Sequence, residues 1–164
     1  MENQWDSAIL QLLSFTLDEE VFSVEINRVR EVLEYKGTTK VPKVPEFMRG
    51  VINLRGSVVP VIDLKVKFGI GSTQKGINTC VIILEVSVGG EPMVLGALAD
   101  AVREVFDLDT RNIEPPPKIG TRFNSDFLKG MGKYNDNFVM ILDIDRIFSE
   151  EDIGSVTGSS KIPA

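Results

Sequence analysis

Phe47-Met48-Arg49-Gly50 and, eighty residues later, Phe127-Leu128-Lys129-Gly130 open two stretches that run in step without a gap. At the same offset Val58-Val59-Pro60-Val61-Ile62-Asp63-Leu64 is matched by Phe138-Val139-Met140-Ile141-Leu142-Asp143-Ile144, and Phe68 by Phe148. Earlier in each half, Val29-Arg30-Glu31-Val32-Leu33 matches Val102-Arg103-Glu104-Val105-Phe106 at an offset of 73. The seven-residue difference places a longer loop at 118–126, before Phe127. Strand-rich sequences resemble one another by pattern alone, but a shared order of segments at fixed offsets argues for a duplicated unit. Each unit is too small to bury a large core by itself, so the apolar faces left over should meet at the centre. The expectation is a mainly β protein of two homologous small barrels packed face to face, with short helices.

Local patterns fill in that outline. Leu13-Ser14-Phe15-Thr16-Leu17 and Val21-Phe22-Ser23-Val24-Glu25-Ile26 alternate apolar and polar residues around the polar turn Asp18-Glu19-Glu20, which reads as a β-hairpin. Asn27 is a candidate N-cap, and Val29, Val32 and Leu33 at i, i+3 and i+4 predict a short helix ended by Lys36-Gly37. Val102, Val105 and Phe106 predict a second. Val41-Pro42-Lys43-Val44-Pro45 must be extended. Two strands then flank Arg55-Gly56-Ser57, where Gly56 supplies the positive φ of a tight turn, and Pro60 indicates an edge position or a bulge. Strands are also expected at 79–86 and 93–99 around Val88-Gly89-Gly90-Glu91, and a stiff extension at Pro115-Pro116-Pro117. The domain spans about 10–149, with tails at 1–9 and 150–164, the latter flexible. The first barrel is expected at about 15–78 and the second at 79–149, with the N-terminal strand open to either.

Composition narrows the function. The 164 residues are 43% hydrophobic and 26% charged, the balance of a globular protein, and the net charge is −6 with no histidine. An acidic chain with 7% aromatic residues lacks the basic, aromatic-studded face of a nucleic-acid binder. Without histidine there is no Ser/His/Asp or Cys/His constellation, and Gly69-Ile70-Gly71 and Gly130-Met131-Gly132 lack the third glycine of a dinucleotide loop. Cys80, within Cys80-Val81-Ile82-Ile83-Leu84, reads as a small buried hydrophobe. Asp143 and Asp145 with Asp107 and Asp109 raise a hard-cation site, but Asp143 is better explained as a helix cap, and no metal or cofactor is expected. The N-terminus shows no secretory pattern and no apolar run approaches a membrane span, so the expected location is cytoplasmic. What remains is a binding module. Arg55, at a hairpin tip beside Gly56, is either a partner anchor or a solvated turn residue.

Taken together, Asn53-Leu54-Arg55-Gly56, Val59-Pro60-Val61-Ile62-Asp63-Leu64, Val29-Arg30-Glu31-Val32-Leu33, the Val41-Pro42 and Pro45 spacing, Phe47 with Gly50-Val51-Ile52, Ile113 with Pro115-Pro116, and Asp143-Ile144-Asp145 resemble the CheW coupling proteins of bacterial chemotaxis. The resemblance runs from about Leu12 to Phe148. It implies two tandem five-stranded SH3-like barrels around a shared core. It also implies a non-catalytic adaptor that links chemoreceptors to the histidine kinase CheA, bound through the kinase's regulatory domain, and reaches the membrane only through receptors. By that resemblance a groove between the barrels takes the receptor's helical tip, lined here by Leu13, Ile26, Val29, Val32, Val102 and Val105. Glu31 and Arg55 take polar coupling positions, and Gly50, Asn53 and Gly56 shape the partner surface. Ala99-Asp100 departs from the family's Val-Asp, which bears on groove shape. The alternative is a small SH3- or OB-like module for nucleic acid or a metabolite.

Overall fold

The structure is a computed structural model and describes residues 8–115 and 127–148. The strands in chain order are β1 (Ile9–Leu17), β2 (Glu20–Glu25), β3 (Val29–Glu34), β4 (Met48–Leu54), β5 (Ser57–Asp63), β6 (Cys80–Val88), β7 (Glu91–Ala99), β8 (Ala101–Asp109), β9 (Ile113–Glu114), β10 (Leu128–Tyr134) and β11 (Asn137–Leu142). Two one-turn helices follow the second hairpin of each repeat, α1 (Leu64–Phe68) and α2 (Ile144–Ile147).

The strands form two curled half-barrels. One sheet has the order β8-β1-β2-β11-β10-β9, the other β3-β6-β7-β5-β4, and an isolated bridge from Thr39 to Val51 flanks β4 as β9 flanks β10. The duplication is legible in the register. β5 pairs parallel with β7 at Val61 and Gly96, and β11 pairs parallel with β2 at Ile141 and Ser23, the same positions one repeat apart. The boundary expected near residue 78 is not where the sheets divide. The hairpin β1–β2 of the first repeat pairs with β8–β11 of the second, and β6–β7 of the second pairs with β3–β5 of the first. Each half-barrel therefore takes its first hairpin from the opposite repeat.

This exchange follows from strands that are apolar on both faces. Along β1, Leu10 and Leu12 enter a cluster with Phe106, Leu108, Val139 and Ile141 inside one half-barrel, while Leu13, Phe15 and Leu17 face the opposite way. Along β6, Val81 and Ile83 join Tyr35, Val59, Val61 and Leu98 inside the other half-barrel, while Ile82, Leu84 and Val86 face out of it. The outward sets from both sheets meet in one large central core that also holds Phe22, Phe47, Phe68 and Phe148. Alternation at period two thus feeds two cores at once, and an apolar run such as Val81-Ile82-Ile83-Leu84 is the result.

Two helices expected from 3.6-residue spacing are strands. Val29, Val32 and Leu33 lie on β3, Val102, Val105 and Phe106 lie on β8, and Asn27 sits in a 3-10 turn, Ile26–Arg28, instead of capping a helix. In β3, Leu33 packs inside the half-barrel, Val29 packs against the central core and Val32 is exposed, so the apparent i, i+3, i+4 stripe mixes faces. A charged residue at an inward position, Glu31, concealed the period of two. Bulges complete the disguise: Arg30 is the extra residue between Val29 and Glu31, and Ser14 faces two residues of β8 between Val102 and Val105. Asp143 precedes α2 but makes no side-chain cap, whereas its counterpart Asp63 caps α1 through the Lys65 N–H at 3.1 Å. Pro60 lies opposite Val51, one residue before β5 begins pairing with β7 at Val61, where no ladder donor is required of it. Pro116, Pro117 and the loop 118–126 fall outside the described residues, as do the tails apart from Ala8 and Ile9.

Candidate partner-binding site

The hairpin β4–β5 turns through two residues with positive φ, Arg55 at 50° and Gly56 at 89°. Such a two-residue turn matches the twist of the flanking strands, and a side chain at its first position projects from a rigid base. Asn53 stabilises the turn, its Oδ1 accepting from the Gly56 N–H at 2.8 Å. Arg55 is thereby aimed at β3, the strand at the opposite end of the same sheet, where its guanidinium meets both carboxylate oxygens of Glu31, one at 3.3 Å. This fork-to-fork pair joins the first and last strands of the curled sheet, so four residues singled out in the sequence, Glu31, Asn53, Arg55 and Gly56, belong to one rim. The hydrogen bond from Arg55 holds the Glu31 carboxyl below the ordinary carboxylate range, and the same bond holds the Arg55 guanidinium charged. Because the pair is exposed, solvent and salt screen it, and its value lies in fixing a surface more than in stability. A groove of about 490 Å³ opens beside it, lined by Leu33, Tyr35, Thr39, Val51 and Asn53 among others.

Gly50 is structural. Its φ is +152°, and a Cβ there would come within 2.4 Å of the Thr39 carbonyl oxygen. Gly130 repeats the arrangement, with the Glu114 carbonyl oxygen 2.8 Å from where its Cβ would stand. The glycine lets the flanking bridge residue approach the hairpin, and its influence on a partner surface is indirect.

The apolar positions divide. Ile26, Val29 and Val102 are half-buried and packed against the shared core, the last two at equivalent places in the repeats. Val32 and Val105 are 40% and 48% exposed, on edge strands of different sheets. Leu13 does not offer a contact surface: β1 lies between β2 and β8, and its side chain is 4% exposed in the central core.

Three polar clusters escaped the sequence reading. Asp63, 1% exposed, accepts from the Thr73 N–H and hydroxyl at 2.9 and 2.8 Å and pairs with Arg49 at 2.8 Å. Burial pushes its carboxyl up, but the Thr73 and Arg49 contacts outweigh that and leave it below the usual range. Lys65, 5% exposed, bridges Asp18 at 2.6 Å and Asp100 at 2.8 Å, and burial, which lowers its pKa, is overcome by these two carboxylates. Asp145 on α2 takes Arg28 at 2.5 Å and the Ser87 N–H at 2.7 Å, clasping one half-barrel to the other. The recurrence of Asp63 as Asp143 was the only signal in the sequence, since the partners are 10 to 117 residues away along the chain. The acidic and basic groups in these clusters are committed to one another, and no three of the metal-ligating residue types gather into a site among the described residues.

A family model described as CheW-like domain matches residues 11–152. The chain is 32% identical over 151 residues to chemotaxis protein CheW of Klebsiella aerogenes, covering 92% of this chain and 89% of that protein. It is 30% identical to chemotaxis protein CheW of Thermotoga maritima, covering 85% and 88%. The crystal structure of the scaffolding protein TtCheW from Thermoanaerobacter tengcongensis superposes with a TM-score of 0.77 at 35% identity, over 93% of this chain and 96% of that one. Duplicated hairpins, exchanged half-barrels and a hairpin-tip arginine clamped to the opposite edge strand thus coincide with matches along nearly the whole chain: it belongs to the CheW-like domain family.

Proposed function

We infer that this protein is a non-catalytic chemotaxis scaffold that couples chemoreceptors to the histidine kinase CheA. The observation that carries the reading is the Glu31–Arg55 clamp on a rigid hairpin, in a chain that matches a chemotaxis CheW protein over 92% of its length. A scaffold needs surfaces held in a fixed relation and no reacting group, and two half-barrels locked through a shared core provide that. The receptor tip is assigned to the surface around Ile26, Val29 and Val102 at the rim of the core, extended by the exposed Val32 and Val105, with Glu31 and Arg55 as its polar border. Such a surface suits the apolar stripe of a helix. The kinase is assigned through its regulatory domain, and the working location is the cytoplasm, with the membrane reached through receptors.

The test is reconstitution of CheA autophosphorylation with a chemoreceptor cytoplasmic fragment. Adding this protein should bring the kinase under receptor control. Arg55→Ala and Glu31→Ala should stay folded and lower that control by about tenfold, as expected for losing a charge-assisted pair at a contact. A protein that binds neither partner sinks the reading, while normal coupling by both variants removes only the polar border. The nucleic-acid alternative gains nothing here: Phe15, Phe22, Phe47, Phe68, Phe106 and Phe148 are buried, and among the described phenylalanines Phe138 alone is exposed.

A further inference from the structure

The two half-barrels are built alike, yet among the described residues an ion pair joins hairpin tip to edge strand in only one of them. In the half-barrel containing β8, Glu104 stands one repeat from Glu31, and Asn135 one repeat from Arg55. The backbone is the same at both tips, φ being 50° at Arg55 and 51° at Asn135. Glu104 is also held in place, its N–H donating to the Ser14 hydroxyl at 3.2 Å and its carbonyl accepting from that hydroxyl at 3.1 Å. The short asparagine amide does not span the gap that the arginine spans. What remains is a cavity of about 460 Å³ between β8, the β1–β2 turn and the β10–β11 tip.

The lining has a definite chemistry. Glu19, Glu20 and Glu104 contribute three carboxylates against the single guanidinium of Arg103, and among the described residues no hydrogen bond or ion pair reaches the Glu104 carboxylate. Phe106 and Tyr134 form an aromatic wall, ring centroids 4.3 Å apart, and Phe138 beside them is 53% exposed. A planar cation fits such a place, because a guanidinium takes a carboxylate with two parallel bonds and lies on aromatic faces, which a compact ammonium does less well. Phe138, exposed in the same lining, offers an apolar contact beside the cation, which a polypeptide can use and a free amino acid cannot. We propose that this cavity receives an arginine side chain from a partner polypeptide, in the place that Arg55 occupies in the other half-barrel. The charge complementarity and the internal copy of the contact both select that occupant. The inference does not depend on which protein carries the arginine.

The experiment uses the full isotope-labelled chain and the peptide acetyl-Leu-Arg-Gly-Ser-amide, which copies the tip of the β4–β5 hairpin, with acetyl-Leu-Lys-Gly-Ser-amide and free arginine as comparisons. The arginine peptide should produce saturable amide shifts at Ser14, Glu104, Tyr134 and Phe138. The lysine peptide and free arginine should bind about tenfold more weakly. Glu104→Gln should abolish the response, and Asn135→Arg, whose side chain starts from a backbone that already suits arginine, should abolish it by filling the cavity from within. Retained spectral dispersion in both variants shows that they are folded. Absence of saturable shifts, equal binding of the lysine peptide, or an unchanged response in Glu104→Gln would overturn the assignment. Equal binding of free arginine would replace the polypeptide by a small-molecule ligand and overturn it as well.

Discussion

Gly50 and Gly56 lie six residues apart, both with positive φ, yet the structure asks different things of them. At Gly50 a side chain would collide with the Thr39 carbonyl and the Thr38 side chain, whereas at Gly56 nothing lies within 4 Å of a new Cβ. Gly50→Ala should therefore lower stability by about 3 kcal/mol, the sum of strain and overpacking, and Gly56→Ala by about 1 kcal/mol from backbone conformation alone. Urea midpoints at equal m-value measure both. Arg55 makes the complementary point: its side chain is 71% exposed, and its role is to hold a surface geometry that a melting experiment will scarcely register.

At the scale of one element, α1 has five residues and no independent stability. It persists because Asp63 caps its first turn and draws in Thr73 and Arg49, while Lys65 straps it to the β1–β2 turn at Asp18 and to Asp100 after β7. Asp100 is thus spent on a structural contact beside the small Ala99. The Asp63 carboxyl is held below its unfolded value, so it contributes stability that is complete above about pH 4 and is lost as pH falls through its folded pKa. Asp63→Asn should cost about 3 kcal/mol at pH 7, since it removes the charge that pairs with Arg49 and sets an NH2 donor where one oxygen accepted from Arg49 and the Thr73 N–H. The variant should also lose this part of its acid sensitivity, which denaturation curves at pH 7 and pH 3 will reveal. Its counterpart α2 lacks the side-chain cap and is held instead by Asp145, tied to Arg28 and Ser87.

For the whole molecule the decisive fact is the exchange of hairpins between repeats. Neither repeat contains a complete sheet, because β1–β2 requires β8 and β11, and β6–β7 requires β3 and β5. Fragments 1–78 and 79–164, which cut the chain between the repeats, should each be unfolded alone by circular dichroism and should regain strand signal when mixed. Two independently folded fragments would contradict the exchanged architecture. The exchange also ties the repeats together: the chain crosses from one half-barrel to the other after β2 and again after β7, and the two repeats cannot part without breaking strand pairs.

The sequence by itself determined the duplication, the hairpins, the turn at Arg55-Gly56 and the membership of the family, because these rest on local spacing, on turn chemistry and on residues that recur at fixed offsets. It also named Glu31 and Arg55, through a resemblance and not through any visible link between them. Only the tertiary structure decided that the stripes at Val29 and Val102 are strands, since bulges and an inward glutamate break the period of two over so few residues. Only it decided which hairpin enters which sheet. In the sequence both hairpins are equally apolar on two faces, and the pairing that buries every face is a property of the assembled core. For the same reason the open cavity at Asn135 became visible only when the sheet curled far enough to set its two ends against each other.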